Sequence, residues 1–276
     1  MNKAKPRFGL FVVFLIFLPF YGFATQLEPW FGQDLLVEIR PKYCYRYYPH
    51  VNVAGKNVSR HSNDHFLSLS TSFAALNWIS AEIELDTAAS THTGYSFEDW
   101  KFTGRYLFLN DIEGDPISLI VGASISQVTS PGLHNISYYH HGQMEYMAHV
   151  SLGKEFSCGQ FWISRIWGYL QAGIANRGSP WTDLKIAYDW NRCDLVQYGI
   201  FLKGFIGYGS HRLNLHHRFP GYGPIQYRAI DLGAYFNKVF PDWGELKLEY
   251  ILRPWAYNFP THAHSFIVTL MIPFNP

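Results

Sequence analysis

The chain has 276 residues; 18% are aromatic and only 16% charged, with 22 basic side chains against 21 acidic ones. An ordinary soluble domain carries roughly 25% charged residues, yet the mean hydropathy is near zero, at -0.08. Membrane helices would need repeated apolar runs of about 20 residues, a disordered chain would lack the 48% hydrophobic content, and a nucleic-acid binder would show a basic excess.

Residues 1–24 read as a signal peptide. Lys3, Lys5 and Arg7 give a positive start, Phe8 to Phe20 carry no charge, and Gly22 and Ala24 are small where a signal peptidase reads. Cleavage is expected after Ala24. The rest, 25–276, holds no apolar run of helix-spanning length and forms one domain.

This domain alternates with period two, the mark of strands with one apolar face. In the first segment Val37, Ile39, Tyr43, Tyr45 and Tyr47 share one parity, and Glu38, Arg40, Lys42 and Arg46 the other. Farther on, Ile79, Ala81, Ile83 and Leu85 oppose Ser80, Glu82, Glu84 and Asp86. The pattern predicts twelve strands near 31–47, 66–75, 78–88, 99–109, 117–128, 144–153, 161–174, 182–190, 195–208, 225–237, 243–252 and 264–274. A change of apolar parity between Ala229 and Ile230 predicts a bulge there.

The connections are lopsided. Those after the second, fourth, sixth, eighth and tenth strands are short and mostly carry Asn, Asp, Gly or Pro. Those at 48–65, 89–98, 129–143, 209–224 and 253–263 are long, and 175–181 is intermediate. Short turns at one end and long loops at the other describe a transmembrane β-barrel. An all-β, antiparallel barrel of about twelve strands is therefore expected, with short periplasmic turns and long extracellular loops. A soluble β-sandwich would also alternate. Spans of about 10 residues favour the barrel. So do aromatics at strand ends, where two interface girdles would lie: Tyr43, Tyr45, Tyr47, Tyr48, Trp78, Trp100, Trp181, Trp190, Trp243 and Trp255.

The last segment is more specific. Phe266, Val268, Leu270, Ile272 and Phe274 share one face, and this resembles the terminal strand of bacterial outer-membrane proteins, which ends in an aromatic. Here Asn275 and Pro276 follow the aromatic. The resemblance implies an outer-membrane location, a lipid surround and recognition by the barrel-assembly machinery.

The polar parity would line the lumen. Its charged members are Glu38, Arg40, Lys42, Arg46, Glu82, Glu84, Lys101, Arg105, Glu145, Lys185, Lys203, Arg228, Lys247 and Glu249. One reading is a hydrated pore with charges on facing walls. The other is a salt-bridged interior that plugs the barrel. The near balance of signs argues against strong ion selectivity.

Twelve of the thirteen histidines fall in or beside the predicted long loops, in no recognisable metal-ligand spacing. The outer-membrane phospholipase A family places His and Ser two residues apart on one strand face, followed by Asn. His149 and Ser151 keep that spacing, but the Asn is missing and their parity points to the lumen instead of lipid; His61-Ser62-Asn63 has adjacent residues that face opposite ways. Cys158 and Cys193 fall in short turns at the same end and could pair; Cys44 is left over, and three unpaired thiols are equally compatible.

The expected role is passive passage of small solutes, with no cofactor and no nucleic-acid partner. The alternatives are an enzyme acting on phospholipid or lipopolysaccharide, and a surface adhesin or envelope structural protein.

Overall fold

The alternating segments form one antiparallel sheet that closes on itself. A computed structural model describes residues 27–31, 35–158, 161–192, 195–215, 218–241 and 243–274. In chain order the strands are β1 (Val37–Val53), β2 (Lys56–Leu76), β3 (Ile79–Ser90), β4 (Thr93–Leu109) and β5 (Ser118–Val128), then the one-turn helix α1 (Ser130–Leu133). There follow β6 (Met144–Cys158), β7 (Phe161–Ala175), β8 (Trp181–Asn191), β9 (Val196–Tyr208), β10 (Gln226–Phe240) and β11 (Gly244–Tyr257). The two-residue β12 (Pro260–Thr261) pairs antiparallel with the outer end of β1, at His50 and Val51, and β13 (Ala263–Phe274) is last. The long strands β2 to β11 pair in sequence, and β13 pairs with both β11 and β1. The first strand is thus bonded to the last, which leaves no long strand with an open edge.

Burial runs opposite to that of a soluble protein. On β3 the serine and both glutamates at Ser80, Glu82 and Glu84 are buried, while Ile83 between them is 52% exposed. Ile174, Ile186, Leu232 and Phe266 are likewise exposed. An apolar exterior and a polar interior suit a ring whose backbone groups are all paired within the sheet, the form a strand protein takes in lipid.

All twelve predicted strands are present, but several extend well past their expected ends. β2 runs 21 residues and both β1 and β4 run 17, whereas a bilayer span needs about 9–11. The stretches expected as long loops at 48–65 and 89–98 are strand extensions closed by turns at 54–55 and 91–92. The true loops at this end are 129–143, 176–180, 209–225 and the segment around β12.

Other expectations are corrected in detail. Trp78, Trp190, Trp243 and Trp255 are exposed, as a girdle requires, but Tyr48 and Trp181 are buried inside the loop end. β10 keeps its register against β9 without interruption. The irregularity lies on its other side, where two residues of β10 (Ile230 to Leu232) span three of β11 (Leu252 to Trp255), so the bulge belongs to β11. The proposed leader, Cys193 and Asn275–Pro276 lie outside the described residues.

Candidate functional site

Strand register builds a polar ladder along β1 to β4. Glu38 faces Ser72, Ser72 faces Glu82, and Glu84 faces Lys101. These positions all point inward, so their side chains meet. Arg40 donates through Nη2 to Glu38 and to Ser72 Oγ (3.1 Å), and through Nη1 to Glu82 Oε2 (3.3 Å). Arg105 lies 3.7 Å from the same Glu82 oxygen, and Lys101 Nζ lies 2.5 Å from Glu84 Oε2. Buried charges persist in proteins when paired in this way.

The far wall, β7 to β11, uses rings as well as carboxylates. The Lys185 ammonium sits 4.2 Å from the Phe201 ring centre and 4.8 Å from Trp167; Lys203 sits 4.5 Å from Phe205, and Lys247 4.1 Å from Tyr235. Lys247 also lies 3.7 Å from Glu249. Arg253 grips Asp231 with two hydrogen bonds, at 2.6 and 2.8 Å. Both signs thus occur on each wall and are not segregated onto facing walls, with Lys185 and Lys203 resting on rings where other cations meet carboxylates.

Two groups of residues divide the lumen. At the turn end, Leu27 to Phe31 lie inside the barrel. The Trp30 indole N–H donates to Asp111 Oδ1 at 3.0 Å, its ring lies 4.6 Å from the Arg165 guanidinium, and Phe31 lies 5.2 Å from that of Arg105. Glu28 is 3.9 Å from Lys247 Nζ. The wall makes room at Gly153, where a Cβ would fall 2.5 Å from the Pro29 ring and 2.7 Å from Trp30. Asp111, in the turn between β4 and β5, is built to hold this anchor. Burial alone would raise its carboxyl. The Glu155 amide (2.6 Å), the Ser118 hydroxyl (2.5 Å) and the Trp30 indole all donate to it and hold it below its ordinary value.

At the loop end an aromatic cap folds inward. Tyr139, Phe205, Tyr222, Tyr227 and Phe259 pack ring against ring at 4.7–6.5 Å. A polar chain threads it. The Tyr139 hydroxyl donates to Asp183 (3.1 Å) and hydrogen-bonds the Tyr227 hydroxyl (2.7 Å), which in turn bonds His141 Nε2 (2.7 Å). The His141 ring stacks on Trp181 with centres 3.6 Å apart. Glu145 accepts the His141 amide at 2.5 Å. Burial pushes the Tyr139 and Tyr222 phenols well above their ordinary values, so both stay protonated donors.

Between these ends lie two cavities. One of about 260 Å³ is lined by Glu28, Trp30, Arg40, Arg105, Arg165 and Lys247 among others. The second, of about 230 Å³, lies under the cap and includes Lys101, Glu145, Asp183 and Lys203. Leu27 lines the second and Glu28 the first, so the chain itself stands between them.

Most of the fourteen charged candidates turn inward. Arg46 does so at the mouth, where it pairs with Asp64 (3.1 Å) and donates to the Ser137 carbonyl, so it holds a loop. Lys42, on the inward parity of β1, is half-buried. Arg228 is the exception: it is exposed on the outward parity of β10, between the buried Tyr227 and Ala229. Cys158 is exposed at the end of β6, and its candidate partner Cys193 is not described. His149 and Ser151 are buried toward the lumen. Neither ring nitrogen of His149 nor the Ser151 hydroxyl has a hydrogen-bond partner, so the pair is not joined. Sequence reasoning missed Glu28, Trp30 and Asp111, as well as Arg253 and the cap tyrosines. Only the aromatic pair Trp30–Phe31 carried a visible signal, and of it Phe31 alone was read, as the start of the first strand.

The sequence matches no known family model and no curated protein. The fold is similar to that of an outer-membrane channel from Pseudomonas putida F1, with a TM-score of 0.63 and 12% identity over 91% of this chain and 100% of that one. It is also similar to the NanC porin (TM-score 0.55, 10% identity, 86% and 98% covered) and the KdgM porin (0.50, 8%, 85% and 99%). At such identities the likeness is one of fold. The chain has the fold of the bacterial outer-membrane β-barrel proteins.

Proposed function

We propose that the protein is an outer-membrane channel for passive passage of small hydrophilic solutes, closed at rest by its own Leu27–Phe31 segment and by the aromatic cap. One observation carries this reading. The lumen holds two chambers, of about 260 and 230 Å³, with ionised walls, separated by a short segment whose side chains hold the barrel wall through non-covalent contacts. A barrel serving only as a scaffold has no need of such space; a conducting one has. The near balance of signs along the lumen favours weak selectivity between cations and anions. The same reading includes export through a cleaved leader, assembly through the terminal strand that ends in the exposed Phe274, and a lipid surround for the apolar exterior.

Planar-bilayer recording tests it. Discrete openings with weak ion selectivity are expected. A correctly inserted barrel that stays silent, even after removal of residues 27–31, would refute the channel reading.

A further inference from the structure

A third cavity, of about 230 Å³, lies away from the lumen at the loop end. Four separate pieces of chain build it: the β1–β2 hairpin (Arg60), the β3–β4 turn (His92 and Thr93), the loop after α1 (His134 and Asn135) and the β9–β10 loop (Arg218 and Phe219). No carboxylate lines it. Among the described residues neither Arg60 nor Arg218 has an ion-pair partner. In a chain with 22 basic and 21 acidic residues, where many luminal arginines and lysines meet carboxylates, two arginines lining one concavity without a described ion-pair partner stand apart.

The backbone is arranged to bring them there. From Tyr48 to His50 β1 advances two residues, while β2 advances three, from Ser59 to Ser62. The extra residue is a bulge at Arg60–His61, and bulges re-aim side chains. The floor is fixed. Asn135 Nδ2 donates to the Ser90 and Thr93 hydroxyls at 3.0 and 2.7 Å, and the Tyr222 hydroxyl donates to the Ile136 carbonyl at 2.8 Å. His134 adds an unmet polar group, because its Nδ1 is enclosed without a hydrogen-bond partner. Burial first, and then the charge of Arg218, hold this imidazole below its ordinary value, so near neutrality it contributes polar ring nitrogens without a charge.

We propose that this pocket binds a phosphate group presented from outside the barrel, with Arg60 and Arg218 as the charged donors and His134 and His92 as auxiliary ones. Planar guanidiniums match phosphate oxygens with paired N–H groups, and Arg is the residue of choice for such recognition. The cavity is several times the ~30 Å³ share of one liquid water, so it admits a phosphate together with part of what carries it. Two sources share this chemistry: the headgroup of a phosphorylated outer-leaflet lipid and a soluble phosphorylated solute. The proposal does not depend on whether the barrel conducts.

The test uses the full barrel in detergent, its folding checked by the mobility shift between unheated and heated gel samples. Calorimetric titration with inorganic phosphate at low ionic strength should give saturable heat. Arg60→Gln and Arg218→Gln should each weaken binding by about tenfold or more, and His92→Gln less. In a second arm, native mass spectrometry follows retention of diphosphoryl lipid A by the wild type and by the double arginine variant. Lipid A lost only from the variant supports the site and identifies the headgroup as the source. Arginine-dependent phosphate binding with equal lipid retention supports the site and a soluble source. No saturable heat together with equal lipid retention overturns the proposal, as does phosphate binding unaffected by both substitutions.

Discussion

Replacing Trp30 with alanine should free the luminal segment. The indole N–H donates to a carboxylate at 3.0 Å, and a hydrogen bond to a charged group contributes about 1.5–3 kcal/mol. The ring also meets the Arg165 guanidinium at 4.6 Å, a contact that contributes about 0.5–2 kcal/mol depending on desolvation. Together these give about 2–5 kcal/mol. At 1.4 kcal/mol per factor of ten, the released state becomes between about 30-fold and a few thousand-fold more populated. Single-channel recording reads this directly: Trp30→Ala should open more often or wider than the wild type. Trp30→Phe, which keeps a ring over Arg165 but loses the N–H, should fall between them. If Trp30→Ala inserts normally and its openings match the wild type in size and frequency, the segment does not restrict the lumen and the reasoning fails.

The Asp111 anchor also sets a pH range. Its folded value lies below the ordinary 3.8, so its contribution is complete above that value and is lost as pH falls through the lower folded one. Opening should therefore be flat from about pH 8 to 5 and rise only in stronger acid, and Asp111→Asn should open at all of these values in the same recordings. Glu82→Gln removes a carboxylate shared by Arg40 and Arg105 at a position 1% exposed. Breaking one side of a buried pair costs about 3–5 kcal/mol, with the low end expected because Arg40 keeps Glu38; the temperature at which the folded gel band disappears should drop. Gly223→Ala would set a methyl 2.4 Å from the His141 carbonyl oxygen and 2.8 Å from that of Arg177. Both neighbours are backbone, so the cap cannot seat, and limited proteolysis should cut the 129–143 loop faster than in wild type.

Strand positions were legible because lipid and lumen demand opposite chemistry of alternate residues. Ile83 between Glu82 and Glu84 is the plainest case. Where a strand leaves the bilayer that demand ends. Asn52, Asn57, Ser59, Ser62 and Asn63 read as loop although they continue β1 and β2, because their pairing rests on backbone bonds and not on an apolar face. Arg228 was misplaced by one residue of parity, and Tyr227 and Ala229 beside it hold the inward positions. The luminal anchor was invisible for another reason. Trp30 meets Asp111 across 81 residues of sequence, and Glu28 meets Lys247 from the opposite end of the chain. Such contacts leave no periodic trace. The same holds for the cap, where Tyr139 reaches Tyr227 across 88 residues.

The bond between first and last strands also dictates an order of events. β1 finds β13 only after almost the whole chain has emerged, with Val37 opposite Phe274. Closing so long a loop is slow compared with zipping neighbouring hairpins. Until then β1 and β13 each present one unpaired edge, the template on which strands of different molecules aggregate. The partners that hold Trp30 and Glu28 come from the β4–β5 turn, β7 and β11, so no partial sheet of early strands can assemble that nest. The inside of this protein is therefore furnished last. A truncation that removes only β13 would leave an open sheet with two raw edges and no finished interior, not a smaller barrel.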